Sequence, residues 1–231
     1  MPQLLEGRIR EGFSTLRETN LFVATLSSVE TTGKTQRRTD AVIFFEPRAA
    51  GPRVEMRVFR DGVFSDRFVG DGTTLWAYNA AANQYSARVY GRYDDGPAPE
   101  NATKTLLTLL DSQAEGASAQ LTRLARQLFA ESSVRYIAWL PGVPAREQFG
   151  SVVYWDAAMP DRWVKFETEL VDQPTPGWVV NKIQGSELRN LRGTARTVAW
   201  TIDLSTSLGT TLRPDFVFAP PANARAITKG N

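Results

Sequence analysis

Few side chains in this sequence have both the type and the spacing for chemistry. There is no histidine and no cysteine. That removes Cys/His nucleophile–base pairs, a Ser-His-Asp triad, thiol redox work and nearly all zinc, copper and haem sites. Carboxylates remain. Glu167 and Glu169 stand two apart, so on a strand they share a face, and paired carboxylates do acid–base work on sugars. Arg162 and Lys165 lie beside them, and the group reads instead as an exposed charged face. Asp94-Asp95-Gly96 offers oxygen ligands to a hard cation, but adjacent carboxylates lack the alternating spacing of a calcium loop. It reads as a solvated turn.

The glycine motifs fare no better. Gly33-Lys34-Thr35 matches the end of a phosphate-binding loop, yet Ser28 stands where the first Gly belongs and a strand pattern follows. Gly70-Asp71-Gly72 begins like a dinucleotide fingerprint, with Leu75 in place of the third Gly. Both read as hairpin turns. Asn101-Ala102-Thr103 fits a glycosylation sequon and reads as a helix cap. No cofactor or metal is expected. Apolar and aromatic surface is left as the candidate for function, with Trp76, Tyr78, Trp155, Trp163, Trp178 and Trp200 spread over separate segments.

The elements that would position this surface are legible from periodicity. Leu5, Ile9, Phe13 and Leu16 recur at helical spacing and predict an amphipathic helix over residues 3–19. From Leu21 the period changes. Six successive strands are predicted over 21–32, 39–46, 53–60, 63–70, 73–79 and 84–90, separated by short Gly, Pro and Asp turns that imply antiparallel neighbours. Two helices are predicted over about 101–112 and 117–131, the second with Leu121, Leu124 and Leu128 on one stripe. Strands resume over 134–140, 148–156, 161–172, 177–189, 194–206 and 215–218. The long second set alternates like the first, so one continuous sheet in one domain, residues 1–231, is expected.

Composition sets the outer bounds. Apolar residues make up 42% of the 231, enough for a sizeable core, and the net charge of +2 gives no nucleic-acid footprint. No apolar run approaches the roughly 18 residues of a membrane span. No signal peptide is visible, so an exported protein would here be in its mature form with an added start.

Two motifs carry a family resemblance. Val69-Gly70-Asp71-Gly72-Thr73-Thr74-Leu75-Trp76-Ala77-Tyr78-Asn79, running on to Asn83-Gln84-Tyr85, reads as an aromatic hairpin entered through a Gly-Asp-Gly turn. With the ending Phe216-Val217-Phe218-Ala219-Pro220-Pro221, it resembles the LolA/LolB-like lipoprotein-carrier superfamily. The resemblance implies an α+β, mainly β, fold. Its core is a strongly curved antiparallel sheet, an unclosed β-barrel, with the N-terminal helix and the helix pair over its concave face. It implies a periplasmic or otherwise extracytoplasmic, non-enzymatic carrier of a lipid or of lipoprotein acyl chains. Such a carrier would be a monomer that meets membrane-bound donor and acceptor proteins. A sensor or interaction module of the same fold is the alternative, and an enzyme on this scaffold the third reading. Family carriers latch the lid with an Arg before a Pro; here Gly51 precedes Pro52 and Glu46 precedes Pro47, with Arg48 and Arg53 near but not aligned.

The expected cavity residues are Val54, Met56, Val58, Phe64, Phe68, Trp76 and Tyr78 on the sheet, with Leu121, Leu124 and Leu128 on the lid. Strict alternation in Arg53-Val54-Glu55-Met56-Arg57-Val58 would then turn Arg53, Glu55 and Arg57 to water.

Overall fold

The computed structural model describes residues 2–18, 21–46, 53–89, 134–139, 149–157, 161–171, 177–191, 193–205 and 214–227. Helix α1 (Pro2–Glu18) opens the chain, with Pro2 at the first helical position, where its fixed φ suits the turn. Leu5, Ile9, Phe13 and Leu16 are buried, as their spacing predicts. Gly12 lies on the same face. A Cβ there would stand 2.7 Å from the backbone nitrogen of Val180, so only glycine lets the helix sit this close to the sheet.

Six strands follow: β1 (Phe22–Thr32), β2 (Thr35–Glu46), β3 (Arg53–Arg60), β4 (Val63–Gly70), β5 (Thr74–Asn79) and β6 (Gln84–Val89). Five more are β7 (Val134–Trp139), β8 (Phe149–Asp156), β9 (Trp163–Val171), β10 (Gly177–Leu191) and β11 (Thr194–Ser205). All eleven pair antiparallel in one sheet that is not closed. A two-residue segment, β12 (Arg225–Ala226), adds a parallel pairing with β6. Turn chemistry explains the hairpins. Between β3 and β4, Asp61 and Gly62 have φ of 48° and 81°, the double left-handed conformation of a tight two-residue loop.

The sheet order is β12-β6-β5-β4-β3-β2-β1-β11-β10-β9-β8-β7. Each strand set is thus a meander, and the two meet where β1 pairs β11, from Val23↔Ser205 to Thr31↔Thr197. The helix defines an inner face. Phe13 meets Phe166 edge-on, with ring centroids 6.1 Å apart, and α1 packs chiefly against β10, β8, β9 and β7.

One expectation needs amendment. Residues 215–218 do not form a strand, because Phe216 takes a φ of 52°, outside the extended region. The C-terminal segment joins the sheet only at β12 among the described residues. The helix pair expected over 101–131 lies outside the described residues.

Candidate ligand-binding face

The strand registers fix which side chains share the inner face. One lateral row runs through Phe166, Ile183, Ile202, Leu26, Ala41 and Val58, on six neighbouring strands. All six are buried. The row ends in polar contacts. Asp66, opposite Val58, accepts from Asn79 Nδ2 at 2.8 Å and from the Ser65 hydroxyl at 2.6 Å, and Arg60 stands 3.2 Å away. A second row passes through Leu204, Ala24, Ile43, Met56, Phe68 and Ala77. It is apolar throughout. A third row starts apolar at Val164, Gly185 and Trp200 and turns polar at Ser28, Thr39 and Arg60.

The inner face is therefore graded. Its apolar field reaches the Phe22 end of β1, where Phe22, Phe45 and Val54 lie in register and the first two rings stand 5.1 Å apart. Its charged margin lies at the opposite end, where Glu30 Oε1 accepts from Arg196 Nη1 at 2.7 Å.

Val54, Met56, Val58 and Phe68 come together on this face and belong to the same buried cluster as the helix residues. Trp76 and Tyr78 do not. Val69 pairs Trp76 and Phe68 pairs Ala77, so Ala77 shares the face of Met56 while Trp76 and Tyr78 point to the other side. Phe64 is also displaced. The register shifts between Val58 and Phe59, and Phe64, 39% exposed, packs edge-on against Phe59 at 5.9 Å. A bulge offsets alternation by one, which is enough to reverse a side chain. Leu121, Leu124 and Leu128 lie outside the described residues.

The outer face is not simply wet. Glu55 is 0% exposed, a correction to its expected place in water. Its Oε1 accepts from Arg57 Nε at 2.9 Å and Arg67 Nε at 3.1 Å, while Oε2 has no hydrogen-bond partner. The C-terminal segment crosses above. The Arg53 guanidinium stacks 4.5 Å over Phe216 and donates to the Asp215 carbonyl, and Phe218 stacks on Trp76 at 6.1 Å and touches Tyr85. Arg53 and Arg57 stay half-buried, and the crossing that meets Arg53 and Arg67 is announced by no local pattern.

The carboxylates that suggested acid–base work are paired structurally. Glu167 forms an ion pair with Lys165, and Glu169 accepts from Asn181 Nδ2 at 3.0 Å. Among the described residues no group of three Asp or Glu is placed to hold a metal ion, and no helix is long and apolar enough to cross a membrane. Sequence reasoning named Trp200 among the candidate aromatic residues and missed Ser28 beside it. The signal for Ser28 is a Ser that falls on the apolar phase of β1, in the run Phe22, Ala24, Leu26, Ser28.

No protein-family model matches the sequence, and no curated protein matches it. Solved structures do. Lipoprotein LppX of Mycobacterium tuberculosis aligns over 89% of this chain and 95% of its own, at 8% identity and a TM-score of 0.42. LprF of Mycobacterium bovis aligns over 92% and 97%, at 8% identity and 0.42. A putative outer membrane lipoprotein-sorting protein domain of Vibrio parahaemolyticus aligns over 92% and 97%, at 12% identity and 0.36. These likenesses concern the course of the chain, and no residue of the inner face is carried across them.

Proposed function

We propose that the protein is a non-enzymatic carrier that holds a lipid, or the acyl chains of a lipoprotein, against the inner face of its sheet. The site is extracytoplasmic, in the cell envelope. One observation carries the reading. The apolar field of Val54, Met56, Val58 and Phe68 runs unbroken across strands of an unclosed sheet, away from the strands that α1 chiefly covers. An apolar face lined by such side chains suits alkyl chains. Leu121, Leu124 and Leu128 would meet the ligand from the opposite side. Trp76, Tyr78 and Phe64 are no part of this site. Residues 1–231 act as one domain, since β1 and β11 join the two strand sets in one sheet.

The energetics suit transfer without covalent chemistry. Each buried methylene contributes about 0.8 kcal/mol, so one acyl chain supplies on the order of 10 kcal/mol. Binding is thus easily strong enough, and release becomes the controlled step. It requires an open state of comparable free energy that a membrane-bound donor or acceptor protein can favour.

The test is a fluorescent fatty-acid titration beside a thermal melt, on wild type and Leu124→Asp. A charge set against alkyl chains weakens binding sharply. The expected result is lost binding with an unchanged melt. A wild-type protein that binds no acyl probe, and that co-purifies with none by native mass spectrometry, overturns the reading.

A further inference from the structure

Ser28 is 1% exposed, and its hydroxyl has no hydrogen-bond partner. It sits mid-sheet on the inner face, between Trp200 on β11 and Thr39 on β2. Its position along β1 is specific. Two residues one way is Leu26, within the apolar field. Two residues the other way is Glu30, joined to Arg196. Each step is about 7 Å. The hydroxyl therefore marks the line where the alkyl-lined surface ends and the charged margin begins.

A buried hydroxyl without a partner is costly, and an alanine of the same shape would remove that cost. A ligand that brings an acceptor to this depth removes it too. The acceptor should be neutral, because a carboxylate at such a site would lose its hydration without a counter-charge. An ester-linked acyl lipid has the same order along its length: alkyl chain, neutral carbonyl, polar headgroup. We propose that Ser28 donates a hydrogen bond to the ester carbonyl of an ester-linked acyl ligand. The alkyl chain then lies toward Leu26 and Phe22, and the headgroup falls at Glu30 and Arg196. Trp200, held flat on Gly185, walls the carbonyl position from the side. This rests on the carrier reading above and adds a specificity to it.

Native mass spectrometry titrations of the full chain test the proposal. The probes are a diacyl phosphatidylglycerol with its dialkyl-ether analogue, and a diacylglyceryl-cysteine peptide with its diether analogue. Wild type is expected to prefer ester over ether by about 3–10-fold, the size of one neutral hydrogen bond. The preference should disappear in Ser28→Ala while ether affinity stays, and the melting temperature should hold or rise. A purely structural Ser28 would not lose affinity while gaining stability. Ser28→Cys, a weak donor of similar size, should behave as Ser28→Ala does and guards against a folding defect. An ester preference in the phospholipid pair alone identifies a membrane lipid, and in the peptide pair alone a lipoprotein; either supports the assignment. Equal ester and ether affinity in a wild type that binds both overturns it and leaves the carrier reading standing. Binding of none of the four overturns both.

Discussion

The Trp200 ring lies flat against Gly185 on the neighbouring strand, so that a Cβ at position 185 would come within 2.3 Å of its Cζ2 atom. No rotation of an alanine methyl avoids this contact. Gly185→Ala must push the indole into the inner face or part β10 from β11. Overpacking of this kind costs about 1–3 kcal/mol. Chemical denaturation should show that loss, and near-UV circular dichroism should change with it. A variant as stable as wild type would mean that Trp200 has another rotamer available.

Glu55 holds two arginines from beneath the C-terminal segment. Its side chain is 0% exposed, while those of Arg57 and Arg67 are 36% and 25% exposed. Glu55→Ala leaves two cations facing each other with no carboxylate between them. Breaking a buried pair this way costs about 3 kcal/mol. Arg57→Ala should cost distinctly less, because Arg67 remains and Arg57 already reaches solvent. Equal losses in urea unfolding would argue that the cluster acts as one unit rather than around Glu55.

Phe218 links the C-terminal segment to the outer face through Trp76 and Tyr85. Phe216 beside it keeps a left-handed backbone that costs on the order of 1–3 kcal/mol, so contacts must hold it in place. Phe218→Ala removes an aromatic pair contributing roughly 1 kcal/mol beyond its burial. Trp76 emission should shift to the red before global unfolding begins. An unshifted spectrum would show that Arg53 and Phe216 hold the segment alone.

Asp71 supplies the acid-sensitive element of the β4–β5 turn. Desolvation pushes its carboxyl up, but hydrogen bonds from the Thr74 and Thr73 amides and the Thr73 hydroxyl outweigh it and hold it below its ordinary value of 3.8. A lowered value means that the native state binds its proton later than the unfolded chain. The contribution is complete above the ordinary value and is lost as pH falls through the lowered one. In melts from about pH 6 down to about pH 2, Asp71→Asn should fall behind wild type at the upper end and converge with it at the lower. A gap that does not change with pH would assign the effect to the turn's geometry rather than to the charge.

Local pattern alone determined much of this protein. The spacing of Leu5, Ile9, Phe13 and Leu16 placed α1 and its buried face. The alternation through Val54, Met56 and Val58 placed them together, because a strand's period of two admits no other arrangement. Gly and Asp at positions that need a positive φ marked the hairpins, and the order of elements and short turns pointed to one continuous antiparallel sheet. The lack of histidine and cysteine narrows the chemistry by itself. What local pattern could not decide was parity between strands. Trp76 and Tyr78 share a face with each other, but whether that face is Met56's depends on the pairing of β4 with β5. A shift of one residue reverses the answer. The hydrogen bond from Arg53 to the Asp215 carbonyl likewise depends on a segment 162 residues away crossing beside β3. Ser28 looks ordinary in the sequence and becomes an isolated buried hydroxyl only when β11 brings Trp200 beside it. Period is a property of one strand and is written locally, whereas register, crossing and the company a side chain keeps exist only after distant strands have paired.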